Sequence, residues 1–101
     1  MRLDPKERTE TLLDAALRLA AADGWQALTR DGIAREAGVS YALVTQRLGT
    51  MEQIRRSVMR RAVQQRVVCV VAEGLSRGDR HAGAADDALR AECAALMGER
   101  K

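Results

Sequence analysis

The sequence has few aromatic residues: Trp25 and Tyr41 make up its whole 2%, and Phe does not occur. Because Ala, Leu and Val must then build the core, closely packed helices are favoured over a thick sheet sandwich. Proline, which interrupts helices, occurs only as Pro5. We therefore predict an all-α fold, and the 101 residues suffice for a single domain spanning 1–101.

Several functional classes lack their typical residues. One histidine, His81, and two distant cysteines, Cys69 and Cys93, give no zinc spacing, and no glycine-rich phosphate loop is present. We therefore expect no enzyme, no metal and no cofactor. The longest strongly apolar run, 67–72, is too short to span a membrane, and the charged start at 1–8 is not a signal peptide. These features predict a cytoplasmic protein with no membrane partner and with both thiols reduced and buried.

The net charge of +3 is unevenly distributed. Residues 44–66 carry +5, and the rest of the chain therefore sums to −2. A local basic patch is typical of nucleic-acid binders, although a solvated helix face explains the charge alone equally well. The six arginines of this stretch are Arg47, Arg55, Arg56, Arg60, Arg61 and Arg66. We interpret Arg60, Arg61 and Arg66 as a solvated face.

Capping residues divide the first half of the chain into helices. Asp4 is a good N-cap for the first helix, which Gly24 ends. Thr29 and Ser40 cap the second and third helices, and Thr50 caps the fourth. These signals predict a three-helix head at residues 1–49.

The second half has fewer boundary signals. From Met51 the apolar period continues without proline to about Leu75, which predicts one long fourth helix, and a fifth helix begins near Gly83. The run Val67–Val71 is apolar on every side and needs cover that a small domain does not supply. We therefore predict that residues 50–101 are dimerisation helices. The predicted interface residues are Val63, Val67, Val70, Val71, Leu89 and Leu96.

The most informative segment is 29–48, whose pattern is typical of a helix-turn-helix. Two helices that cross steeply need a small residue where they touch, here Ala34. The tight turn needs a backbone that accepts positive φ, which Gly38 supplies. Val39 and Val44 are then placed to hold the second helix against the first.

The segment 24–40, GWQALTRDGIAREAGVS, resembles the N-terminal DNA-binding region of TetR/AcrR-type transcriptional repressors. The resemblance runs from about Glu10 to Val58 and implies double-stranded DNA as partner. The sequence departs from the family in two places. The recognition helix of the family usually ends in aromatic residues, whereas residues 45–48 here contain none. The family often has a lysine at the start of its fourth helix, where this sequence has Met51. The family also has a long ligand-binding domain, whereas about 40 residues follow here, so we expect no small-molecule effector.

The usual docking of a helix-turn-helix places its second helix in the major groove. We then expect two groups of DNA contacts. Side chains on the outer side of that helix face base edges, and polar residues around it hold the DNA backbone. The predicted base contacts are Tyr41, Ala42, Thr45 and Gln46. The predicted backbone contacts are Thr29, Arg30, Ser40, Arg47 and Arg55.

Together these features predict a sequence-specific transcriptional repressor that binds an inverted-repeat operator as a homodimer. Two alternatives remain open. One is a packaging or architectural DNA-binding protein with weak sequence preference. The other is a helical protein-interaction module that uses the helix-turn-helix to hold a protein partner.

Overall fold

The computed structural model describes residues 4–99; both ends of the predicted domain, 1–3 and 100–101, lie outside it. The described residues form helices without any strand, which confirms the all-α prediction. The elements are α1 (Pro5–Asp23), α2 (Arg30–Ala37), α3 (Tyr41–Leu48), α4 (Met51–Gln65), α5 (Val68–Ser76), a 3-10 turn (Ala82–Ala84) and α6 (Asp87–Glu99).

The first four helices begin where the capping residues predict. Asp4, Thr29, Ser40 and Thr50 each accept a hydrogen bond from the backbone N–H three residues later, at 2.8 to 3.1 Å. The Gln53 side chain accepts in return from the Thr50 N–H, which completes a capping box at the start of α4. Local sequence therefore sets the start of each of these helices.

The prediction of one long fourth helix is wrong, because the chain bends at Arg66. Arg66 adopts a left-handed backbone (φ 57°, ψ 45°), and the Val67 N–H bonds back to the Ala62 carbonyl at 2.9 Å. A straight continuation would carry the apolar 67–71 run away from the head into water. The bend instead returns α5 to the core, where Val70 and Val71 are fully buried.

One continuous core joins the head to the later helices. In the head, Leu12 of α1 packs with Ile33 of α2 and Val44 of α3. Toward the C-terminus, Val71 of α5 and Leu89 of α6 extend the same cluster. Helix α6 lies mainly against α5, and no separate layer divides the two halves.

Several polar links cross between the halves. The Glu73 carboxylate on α5 accepts from the backbone N–H groups of Trp25 and Gln26, at 2.7 and 3.0 Å. Arg61 on α4 donates to Asp14 on α1 at 2.8 Å, and this hydrogen bond lowers the pKa of Asp14 below its ordinary value of 3.8. Helix α5 is thus hydrogen-bonded to the corner between α1 and α2, and α4 is hydrogen-bonded to the middle of α1.

The cysteines differ in environment. Cys93 is fully buried, and this burial raises the pKa of its thiol. Cys69 is only half-buried, so the expectation that both thiols are buried is wrong for Cys69. Both are free thiols.

None of the helices within residues 4–99 is both long and apolar enough to cross a membrane.

Candidate nucleic-acid interface

The turn between α2 and α3 has the geometry that its sequence predicts. Gly38 is left-handed (φ 71°, ψ 35°), and the Val39 N–H bonds to the Ala34 carbonyl at 3.0 Å. Ala34 and Val44 are both buried where the two helices meet. This closed turn fixes the direction of α3 relative to α2.

Helix α3 has one face in the core and one in solvent. Val44 and Leu48 are buried, one turn apart, and anchor the helix. The four predicted base-contact residues are all exposed on it, and the Tyr41 ring is the most exposed large apolar group of the described chain, at 51%. The exposed set is Tyr41, Ala42, Thr45 and Gln46. Thus α3 presents both polar and apolar side chains to solvent on one face.

The polar residues around α3 are held by specific bonds. The Arg30 Nε donates to the Gly49 carbonyl at 3.0 Å, and its Nη1 donates to the Tyr41 hydroxyl at 3.3 Å. Arg30 therefore ties the start of α2 to both ends of α3. Thr29 and Ser40 accept helix-capping bonds, and their hydroxyl protons stay available for an external acceptor.

A groove of about 370 Å³ runs from the end of α3 to the outer face of α4. Its charged lining residues are Arg47, Arg56 and Arg60, and no acidic residue lines it. The buried Nε of Arg47 has no hydrogen-bond partner in the protein. The ion pairs among residues 4–99 include none of these three arginines. The groove is therefore a concentrated positive site beside α3.

The predicted backbone residues are not all brought together. Thr29, Arg30, Ser40 and Arg47 lie around α3. Arg55 instead lines a different depression, with Trp25, Asp79 and His81 among its neighbours. Its main-chain carbonyl accepts the Trp25 indole N–H at 3.0 Å, so this turn of α4 is anchored to the corner between α1 and α2.

Sequence reasoning gave Arg56 and Arg60 less weight than the structure does. They are four residues apart on α4 and follow Gln53 at helical spacing, so all three share one face. That spacing was a usable signal. It was outweighed by the interpretation of Arg60, Arg61 and Arg66 as a solvated face, since the sequence does not show how closely the end of α3 approaches α4.

The predicted dimer residues fall into two groups. Val70, Val71 and Leu89 are at most 1% exposed inside the chain's own core, so a second copy cannot contact them without unfolding. This corrects half of the predicted interface. Val63, Val67 and Leu96 are half-buried and pack at the margin of that core. An open depression lies between α5 and α6, lined by Val68, Ala95 and Leu96 together with Arg66 and Glu92.

The chemistry of this region is that of nucleic-acid recognition. Among residues 4–99, no group of three or more His, Cys, Asp or Glu side chains is placed to hold a metal ion. What converges at α3 is a set of hydrogen-bonding side chains at its face and guanidinium groups at its edge. This combination matches base edges flanked by phosphates.

Comparison with known proteins agrees with this geometry. The sequence model of the family described as bacterial regulatory proteins, tetR family, matches residues 12–58. That range covers most of α1, the whole of α2 and α3, and the first half of α4. The curated proteins and the solved structures gave no match. Residues 12–58 accordingly match the helix-turn-helix DNA-binding region of the tetR family of bacterial regulators in both sequence and local geometry.

Proposed function

We propose that this protein is a sequence-specific transcriptional repressor that binds an inverted-repeat operator as a homodimer. The observation that carries the proposal is the exposed face of α3, where four side chains suited to base edges stand together over a buried anchor. Binding at a promoter would block transcription by occlusion. Such a regulator acts where the DNA is, in the cytoplasm.

Each side chain on this face has a role that follows from its chemistry. Gln46 is exposed and can form a bidentate pair with adenine, and the Ala42 methyl suits a thymine methyl. The Thr45 hydroxyl donates to the Tyr41 carbonyl at 3.3 Å, so in this rotamer it offers only acceptor sites to a base. Thr45 therefore favours an amino group, as on adenine or cytosine.

The residues beside α3 would orient it on the duplex. The Tyr41 hydroxyl accepts from Arg30, which leaves its own proton free for a phosphate oxygen. Thr29, Ser40 and Arg47 complete the proposed phosphate contacts at the helix edges. Because Thr29, Arg30 and Ser40 are hydrogen-bonded at the α2 and α3 termini, they would hold α3 at one angle in the major groove.

Dimerisation is supported by the margin formed by Val63, Val67 and Leu96. These side chains remain partly exposed after α5 and α6 have packed, and Leu96 also lines the depression between these helices. A second copy related by a twofold axis would bring the same residues together. A twofold dimer then places its two α3 helices about one helical turn of DNA apart, or a multiple of it.

The deciding experiment is selection of the purified protein on a randomised duplex pool. Enrichment of one inverted repeat is the expected result. Binding without an enriched motif would replace the repressor with an architectural or packaging protein. A failure to bind any duplex would favour a protein-interaction module.

Substitutions on α3 test the roles within that result. Thr45→Ala and Gln46→Ala should each reduce preference for the selected repeat over a scrambled duplex by about 1–3 kcal/mol, the usual range for a lost base contact. Gln64→Ala on the exposed outer side of α4 is the matched control and should leave the preference unchanged. Equal losses in all three variants would contradict the assignment of the base contacts.

Sedimentation equilibrium tests the dimer directly. We expect a mass of twice the 11.0 kDa chain, falling toward the single-chain mass in Leu96→Asp. Asp87→Asn, an exposed position on the same helix outside that depression, serves as a surface control. A concentration-independent mass of 11.0 kDa for the unaltered protein would exclude the dimer.

A further inference from the structure

The groove between α3 and α4 brings together three guanidinium groups, two of which lie outside the helix-turn-helix motif. Arg47 comes from the last turn of α3, while Arg56 and Arg60 come from successive turns of α4. Gln46, whose side chain is exposed on α3, lines the same groove. The groove thus begins at the proposed base-reading face and extends along α4.

The guanidinium groups of this groove have no carboxylate within ion-pair distance among the described residues, although Arg56 also borders a depression lined by Glu52 and Asp79. The neighbouring Arg61 is bound by Asp14 at 2.8 Å, but Arg47, Arg56 and Arg60 form no ion pair among residues 4–99. Arg60 has one side-chain contact, in which its Nε lies 3.4 Å from the His81 Nδ1. Like charges that share a groove repel each other, so an anion bound between them would lower the electrostatic energy.

Arg47 adds a second observation that points to a ligand. Its Nε is buried and has no acceptor in the protein. Buried donors are nearly always satisfied, because an unpaired one costs on the order of 1–3 kcal/mol. An oxygen acceptor bound in the groove would satisfy it once the Arg47 side chain moves to expose the Nε. The structure therefore combines excess positive charge with an unsatisfied donor at the same place.

We propose that this groove binds one backbone phosphate of the DNA strand that borders the major groove occupied by α3. This inference rests on the proposed function, since it takes α3 to be the recognition helix. A phosphodiester fits because it has two charged oxygens that guanidinium forks bind well. The phosphodiester backbone also borders the DNA major groove, on the side where the protein chain passes from α3 to α4. The contact would carry affinity without sequence information.

This phosphate contact gives α4 a part in DNA binding beyond its first turn. Two of the three arginines lie in its second and third turns, so the phosphate would fix the angle of α4 to the duplex. Since α4 continues through the Arg66 bend into α5, the same contact would orient the C-terminal helices. Spacing between two half-sites then depends on Arg56 and Arg60 as well as on α3.

The test is the salt dependence of binding to the selected repeat and to a scrambled duplex. Each neutralised phosphate contributes a slope of about −0.9 to log K against log salt. The double variant Arg56→Gln/Arg60→Gln should therefore reduce the slope by about 0.9 and weaken binding about tenfold at 0.1 M salt, equally on both duplexes. The double variant Arg56→Lys/Arg60→Lys should restore the slope, because it keeps the charge.

Arg18→Gln is the matched control for removing an arginine charge. Arg18 is exposed on α1, pairs with Glu36, and lines a separate depression with Asp14 and Gln65. Its salt slope should equal that of the unaltered protein. Circular dichroism and thermal unfolding of every variant show whether a change in binding comes from a change in folding.

Each outcome decides the inference. An unchanged slope in the double glutamine variant would overturn the phosphate site and leave the proposed function standing. A loss confined to the selected repeat would also overturn it, because the groove would then read a base. If the unaltered protein binds neither duplex, the proposed function fails and this inference fails with it.

Discussion

Two turns in this protein have nearly the same backbone and very different sequences. Between α2 and α3, Gly38 is left-handed and the Val39 N–H bonds to the Ala34 carbonyl at 3.0 Å. Between α4 and α5, Arg66 takes the same place, and the Val67 N–H bonds to the Ala62 carbonyl at 2.9 Å. Both are helix-terminating turns of the Schellman type. The first is apparent in the sequence and the second is not.

The difference lies in what stabilises each turn. Gly38 adopts positive φ without strain, and Ser40 then caps α3 through a 3.1 Å bond. Arg66 adopts it at a steric cost of about 1–2 kcal/mol, and Val67 provides no side-chain cap for α5. The second turn is stabilised by tertiary contacts that form once the chain has bent. These contacts are the burial of Val70 and Val71 and the ion pairs of Arg66 with Asp86 and Glu92. Local residues determine the first turn, and tertiary packing determines the second.

The largest loss of stability should come from disturbing the packing of α5, which the second turn brings back to the core. A Cβ at Gly74 would lie 2.5 Å from the Met59 Cε and 2.7 Å from the Ala82 Cβ. Gly74→Ala should therefore lower the free energy of unfolding by about 1–3 kcal/mol, despite the better helix propensity of alanine. Chemical denaturation measures it. Gly98→Ala on α6, where a Cβ meets nothing within 4 Å, should have no destabilising effect. Equal stability of the two variants would contradict close packing of α5.

The next effect tests how α5 is tied to the head after the chain has turned. Glu73→Gln removes the charge that accepts from the Trp25 and Gln26 N–H groups. Hydrogen bonds to charged groups contribute about 1.5–3 kcal/mol, so we expect a loss near the lower value. Thermal unfolding of this variant is compared with that of Glu92→Gln, whose carboxylate is exposed and lies 3.8 Å from Arg66. Equal losses of stability in the two variants would mean that the Glu73 hydrogen bonds contribute no more than an exposed surface carboxylate does.

Exchanging the residue types at the two turns tests the comparison itself. Gly38→Arg has free space for its side chain, so its cost should be the backbone strain alone, about 1 kcal/mol. Arg66→Gly relieves the same strain but loses two exposed ion pairs of small worth and adds chain entropy in the unfolded state. Its net effect on urea unfolding should be smaller than that of Gly38→Arg. The opposite order would show that Arg66 itself encodes the bend.

The smallest effect concerns pH and the link between α1 and α4. Arg61 lowers the pKa of Asp14, so the stability that Asp14 contributes is present above its unfolded pKa and is lost as pH falls through the folded value. Asp14→Asn should therefore be less stable than the unaltered protein at pH 5–7, by under about 1 kcal/mol because the pair is partly exposed.

The difference between Asp14→Asn and the unaltered protein should shrink as pH falls below about 4. Asp23→Asn, which removes an exposed carboxyl outside the ion pairs of residues 4–99, is the control. A difference that stays constant down to pH 2 would show that Asp14 does not stabilise the protein through its charge.

The candidate site was predictable where it depends on one helix and its caps. The exposed face of α3 follows from its buried Val44 and Leu48, because helical spacing then fixes which residues point outward. The groove with Arg56 and Arg60 was not predictable in the same way. It depends on how α4 passes the end of α3, a relation between helices that no single helical period contains.

The sequence by itself determined the all-helical fold, the starts of α1 to α4 and the helix-turn-helix, because caps, glycines and apolar periods act over a few residues. Tertiary structure alone decided the bend at Arg66, the burial of Val70 and Val71, and the meeting of Arg47 with two arginines of α4. Those features depend on contacts between residues distant in the chain, and the free energy of covering an apolar surface outweighs the local preference for a continuous helix.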